Sequence, residues 1–117
     1  MILFVAMPPM GKSRPRMTRS GHVFMPSSYS KWKKDFAARA LFQWGGADRI
    51  TGPFAIHLVL TTKTGKMRSD IDNAAGSVLD SLQDARLIDN DRDCRELQVR
   101  LEQGKVPGIH VTVAQIA

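Results

Sequence analysis

The sequence has 117 residues, 43% hydrophobic and 24% charged, with 17 Lys/Arg against 11 Asp/Glu and a net charge of +6. That length fits one domain, residues 1–117, around a single core, and no apolar run approaches the roughly 20 residues needed to span a bilayer. The one cysteine, Cys94, excludes an internal disulfide and a cysteine-based metal site and fits a reducing cytoplasm.

Residues 1–7 are apolar and β-prone, and Pro8-Pro9 ends the strand they predict. The stretch is too short for a signal peptide and lacks a basic leader. Residues 8–26 carry four prolines, two glycines and the cations Lys12, Arg14, Arg16 and Arg19. They show no helical period and predict a long loop or an irregular hairpin. Such loops in small domains are usually functional or mobile. Ser27 or Ser28 is the expected cap of a first helix. Tyr29, Trp32, Phe36 and Ala40 recur at helical spacing, Ala37 and Leu41 widen the stripe, and Gly45-Gly46 closes it.

Phe54, Ile56, Leu58 and Leu60 alternate with a second, mostly apolar set that includes His57. This predicts a central strand, with His57 in the core or at an interface. Thr62 to Ser69 is a basic loop holding Lys63, Lys66 and Arg68. A second helix starts at Asp70, with Ile71, Ala75, Val78 and Leu82 as its buried stripe. Leu97, Val99 and Leu101 predict a half-buried strand. Pro107-Gly108 predicts a turn, and Ile109, Val111 and Val113 the last strand. The order is β-α-β-α-β-β: an α+β domain with a mixed sheet, two helices and a C-terminal hairpin.

Charge is divided along the chain. Residues 1–50 hold nine Lys/Arg and two Asp, giving +7; residues 51–117 hold eight Lys/Arg and nine Asp/Glu, giving −1. Seven of those acids fall between Asp70 and Asp93. This pattern fits a polyanionic partner meeting a carboxylate site, and equally a basic protein with solvated charged faces. Asp70 and Asp72 are two apart at a loop-to-helix junction, where both carboxylates can converge. Asn73, one turn from Asp70, adds an amide. Two carboxylates plus waters and a phosphate suit Mg²⁺, a hard ion. The isolated Asp-x-Asp-Asn also fits a helix start whose acids complement the dipole. Asp89, Asp91 and Asp93 imitate an EF-hand, but Cys94 stands where glycine is needed and Arg100 where a bidentate Glu is needed.

At these residues the chain resembles the RusA family of crossover-junction endodeoxyribonucleases, the Holliday-junction resolvases. The likeness rests on Asp70-Ile71-Asp72-Asn73, on Leu79-Asp80-Ser81-Leu82 and on the turn to Asp91. It continues in the basic loop Gly11 to Arg19 and in His22-Val23-Phe24-Met25-Pro26. The resemblance implies a RusA-like homodimer that binds four-way DNA junctions and cuts paired strands with Mg²⁺, or with Mn²⁺ in its place. It makes Asp70, Asp72 and Asp91 the metal-binding catalytic acids, with Asn73 in support. Lys12, Arg14, Arg16, Arg19, Lys66 and Arg68 become the DNA contacts. It also implies a bacterial or phage-encoded cytoplasmic protein of recombination and repair, with no membrane partner and no small-molecule substrate.

Two positions depart from the family. Gly76 stands where a helix Lys is usual, with Lys63 or Lys66 as candidate substitutes. Asn90 precedes Asp91 where two acids are usual, with Asp89 as the candidate replacement. The alternative is therefore a catalytically weak or inactive branched-DNA-binding protein of the same fold. Several other residues invite a functional reading. Tyr29 fits core or DNA contact. Asp80 fits a fourth ligand or a solvated acid. Trp32 and Trp44 could stack on bases, but Trp32, at helical spacing with Phe36, reads as core and Trp44 as core or dimer; Cys94 reads as structural. His22 reads as a phosphate contact and His110 as exposed. Phe24, Trp44 and Phe54 are the apolar side chains available to a dimer.

Overall fold

The computed structural model describes residues 1–116. The strands are β1 (Ile2–Val5), β2 (Arg16–Met17), β3 (Val23–Phe24), β4 (Phe54–Thr62), β5 (Cys94–Gln103) and β6 (Gly108–Gln115). The helices are α1 (Ser27–Trp44) and α2 (Ile71–Asp84), with a 3₁₀ turn at Asp91–Asp93. The expected order thus gains two strands. Residues 8–26 contain the hairpin β2–β3, pairing Arg16 with Phe24 and Met17 with Val23. Gly21, at φ +86°, makes its turn.

The main sheet is mixed, in the order β1-β6-β4-β5. β4 runs parallel to β5 through the α2 crossover and antiparallel to β6. The C-terminal hairpin expected from the sequence does not form: β5 and β6 lie on opposite sides of β4. The reason is burial. β6 turns Ile109, Val111 and Val113 fully inward and takes an interior place between β1 and β4. β5 is half polar and takes the edge, where Leu97 is 42% exposed. The connection between them passes over the end of β4. There Gly104 donates to the Thr62 carbonyl at 3.0 Å. A Cβ on Gly104 would stand 2.7 Å from Thr61 Cγ2, so only glycine makes this crossing without displacement.

Both helices cover one face of the sheet. In α1, Tyr29, Trp32, Phe36, Ala40 and Trp44 are buried, while Leu41 is exposed, so the stripe is narrower than expected. Its N-cap is Pro26, not a serine, and no side chain caps it. Gly45, at φ +62°, ends it by donating to the Leu41 carbonyl. In α2 the buried residues are Ala74, Ala75, Ser77, Val78, Leu79, Ser81 and Leu82. Ile71 is 37% exposed and does not anchor the stripe. Ser81 donates to the Ser77 carbonyl at 2.8 Å, which removes the cost of burying a hydroxyl.

The other sheet face is open. Ile2 is 75% exposed, Phe4 stacks on His110 with centroids 4.5 Å apart, and His57 is exposed, 2.7 Å from Glu96. His57 is therefore not a core residue. Its apolar neighbours Ala55 and Val59 gave the strand a doubly buried look that the single helical layer does not provide. Trp44 and Phe54 are buried in the core and unavailable to a partner; Phe24 is exposed. Among the described residues, no helix is long and apolar enough to cross a membrane.

Candidate active site

The proline-rich segment after β1 runs across the first turn of α2. Gly11 permits this: a Cβ there would lie 2.3 Å from Ser69 Oγ and 2.8 Å from Asn73 Nδ2. Lys12 N–H donates to the Asn73 carbonyl at 3.4 Å, and Asn73 Nδ2 donates to the Lys12 carbonyl at 3.2 Å. The segment and the helix start thereby enclose a cleft of about 710 Å³. Its lining includes Lys12, Ser13, Arg14, Arg68, Ser69, Asp70, Asp72, Asn73 and Gly76.

Asp70 is the N-cap residue of α2, in extended backbone, but its carboxylate makes no capping bond. Asp72 follows in the first turn. Among the described residues neither carboxylate has an ion-pair partner, although three cations line the same cleft. Several other acids are paired. Lys33 binds Asp84 at 2.9 Å and Asp80 at 3.2 Å, and Arg49 pairs with Asp89. Two unpaired carboxylates beside free cations form a hard-oxygen donor set that fits a divalent cation with phosphate as co-ligand. Without a cation, the same acids would repel a phosphate held by Lys12, Arg14 and Arg68.

The other expected site residues lie apart from this cleft. Asp91 opens the 3₁₀ turn before β5, and its N–H donates to Gln83 Oε1 at 2.8 Å. Gln83 is at the far end of α2, about 16 Å along the axis from Asp72 at 1.5 Å per residue. No three His, Cys, Asp or Glu side chains converge on one ion among the described residues. Lys63 and Lys66 line a neighbouring apolar groove with Met10, Met67 and Pro107, rather than the acid cleft. Arg16 and Arg19 stand on the exposed β2–β3 hairpin with His22. Asp89 is held by Arg49, and Asn90 caps the turn by accepting from Arg92 N–H at 3.0 Å.

The family model described as Endodeoxyribonuclease RusA matches residues 6–114. The chain belongs to the RusA family. It is thus a RusA-type nuclease by descent, of a family of Holliday-junction resolving enzymes that act on branched DNA. No curated protein matches it. Within the RusA-family chain, two tempting groups have structural duties. Tyr29 is buried and donates to Asp80 at 2.9 Å, which makes Asp80 a strut between α1 and α2 rather than a ligand. Burial pushes the Cys94 thiol up, which makes it a poor nucleophile. The sequence places Gly11 in the basic loop but does not show its close approach to Ser69. The one available signal was a glycine directly before the first cation of a proline-rich loop, and it does not name its partner.

Proposed function

We propose that this protein is a divalent-cation-dependent endonuclease that resolves four-way DNA junctions by paired cleavage in recombination and repair. The reading is carried by Asp70 and Asp72, two unpaired carboxylates in a cleft walled by Lys12, Arg14 and Arg68. Mg²⁺, or Mn²⁺ in its place, supplies a Lewis acid and lowers the pKa of water when bound. Asp70 and Asp72 would hold the ion, and the Asn73 amide keeps the cleft wall in place. Arg14 and Arg68 position the phosphodiester. The oxygen of water bonds to phosphorus in line with the departing 3′ oxygen. The water proton passes to solvent, and the 3′ oxygen is protonated from solvent. Lys66, Arg16 and Arg19 extend the grip along the backbone, where phosphate contacts fix register.

The proposed state is a homodimer in the cytoplasm of a bacterium or of a phage-infected cell. Two identical sites suit two symmetry-related strands. The open sheet face offers Ile2, Phe4 and Val59 as an apolar centre, with Glu96 and Arg100 beside it. Asp91, at the far end of α2 from Asp70 within one chain, would join the site from the second copy. Mixing Asp72→Asn with Asp91→Asn chains should restore one active site per mixed dimer.

The test is cleavage of a labelled four-way junction with Mg²⁺, against a linear duplex of the same sequence. Symmetric nicks in the junction alone, abolished by a chelator and by Asp72→Asn, are expected. Asp72→Asn should bind the junction as well as or better than the unsubstituted chain, because a repelling charge is gone. Normal cleavage by Asp72→Asn would sink the site assignment. Gly76 favours a second reading, a junction-binding protein that does not cut. Tight binding without nicks in Mg²⁺ or Mn²⁺ would establish it.

A further inference from the structure

We propose that Lys12, lying across Gly76, is the cation that meets the scissile phosphate in this cleft. The inference rests on the nuclease reading above and assigns one residue a catalytic role within it.

Gly76 is one turn beyond Asp72 on the cleft side of α2 and lines the same cavity. Glycine is a poor choice in a helix interior. What lies beside it is the loop: a Cβ built on Gly76 would meet Lys12 Cδ at 3.8 Å, an ordinary contact, and no atom of another segment closer. The aliphatic stem of Lys12 thus takes the track that a longer side chain at position 76 would occupy. Lysine stems commonly lie along such surfaces and leave the ammonium in the polar space beyond.

The Lys12 backbone is fixed from both sides. Its N–H donates to the Asn73 carbonyl at 3.4 Å and its carbonyl accepts from Asn73 Nδ2 at 3.2 Å. Gly11, closed against Ser69, holds the residue before it. Arg14 and Arg68 share the cleft but have no side-chain or backbone tie to α2 among the described residues. Lys12 alone combines a fixed origin, a seat on the helix and an ammonium without a carboxylate partner. Its charge is held throughout; it takes no proton from water and gives none to the 3′ oxygen. It opposes the negative charge that grows on the phosphoryl oxygens as the O–P bond forms and the P–O3′ bond breaks, and it is already oriented when the substrate arrives.

The experiment is single-turnover cleavage of a four-way junction in Mg²⁺, with junction affinity measured separately without metal. Lys12→Met keeps the stem on Gly76 and removes only the charge. It should lower the cleavage rate about 100-fold, with no greater loss of junction affinity than Arg14→Met. Adding Gly76→Lys to Lys12→Met returns a cation to the same place and should recover about tenfold or more of that rate. Cleavage by Lys12→Met at the unsubstituted rate would overturn the assignment while leaving Asp70 and Asp72 in place. So would a rate loss explained wholly by weaker binding, with no rescue from position 76. A junction left uncut by the unsubstituted chain would remove the nuclease reading itself, and this role with it.

Discussion

Lys12 and Asn73 form a closed two-bond bridge between residues 61 apart in sequence, and that bridge is what turns a basic loop and a helix start into a cleft. Gly11 sets how close the bridge draws the two segments. A methyl group there would stand 2.3 Å from Ser69 Oγ. Gly11→Ala should therefore push the loop off α2 and reduce junction cleavage by roughly 100-fold, the scale of losing one preorganised charge. Unfolding should shift little, since the loop adds few core contacts. Gly11→Ala combined with Ser69→Gly should recover part of the rate. A Gly11→Ala protein that cuts normally would show that the loop does not organise the site.

Gly76→Ala should stabilise the protein by about 0.8 kcal/mol, the helix-propensity difference. The new methyl meets Lys12 Cδ at an ordinary contact distance of 3.8 Å. Gly76→Leu should gain part of the same propensity but displace the Lys12 stem. Urea midpoints for the two variants, set beside their cleavage rates, check this: stability rises in both, and activity survives only in the first.

Tyr29 and Lys33 make stability fall at alkaline pH. Burial, then the Asp80 carboxylate, raises the Tyr29 pKa well above its ordinary 10.0. Burial disfavours the Lys33 charge, but Asp84 and Asp80 outweigh it and raise the Lys33 pKa. Both groups keep their protons in the folded chain after the unfolded chain has released them. Their contribution is full below about pH 10 and is lost as pH rises beyond it. Tyr29 is the single tyrosine. Tyrosinate absorbance should appear only together with unfolding, and Tyr29→Phe should cost about 1–2 kcal/mol near neutrality through the lost bond to Asp80. Ordinary tyrosine ionisation in the folded protein would contradict the buried contact.

Arg16 and Arg19 are exposed on the β2–β3 hairpin without ion-pair partners among the described residues. Replacing both with Ala should flatten the slope of log affinity against log salt by about 2, near 0.9 for each lost phosphate contact. The effect should be similar on junction and linear duplex, because phosphates carry no sequence or branch information. An unchanged slope would place the hairpin away from DNA.

Much of the fold was legible because burial leaves a period. Tyr29, Trp32, Phe36 and Ala40 mark one side of a helix, and Ile109, Val111 and Val113 one side of a strand. The α+β class, both helices and the Asp70–Asn73 motif all follow from local pattern. Period alone does not choose a strand's neighbours. The short polar connection before β6 looked like a hairpin, and the crossing over Thr61 depends on the size of Gly104 and on which side of β4 was already taken by β5. Period also cannot tell a sheet covered on both faces from one covered on one. For that reason His57 read as a core or interface residue; it lies on the open face and not in the core.

The sequence by itself determined both helices, the four strands of the main sheet, the basic half, the paired acids of α2 and the family. Each is written in neighbouring residues, where spacing and residue type suffice. Only the tertiary structure decided which cation lies against the helix of the acids. Lys63 and Lys66 are closer to Asp70 in sequence, yet Lys12 is the residue laid on Gly76. That choice comes from contacts between segments far apart in the chain, where a glycine at position 11 allows an approach that no side chain would.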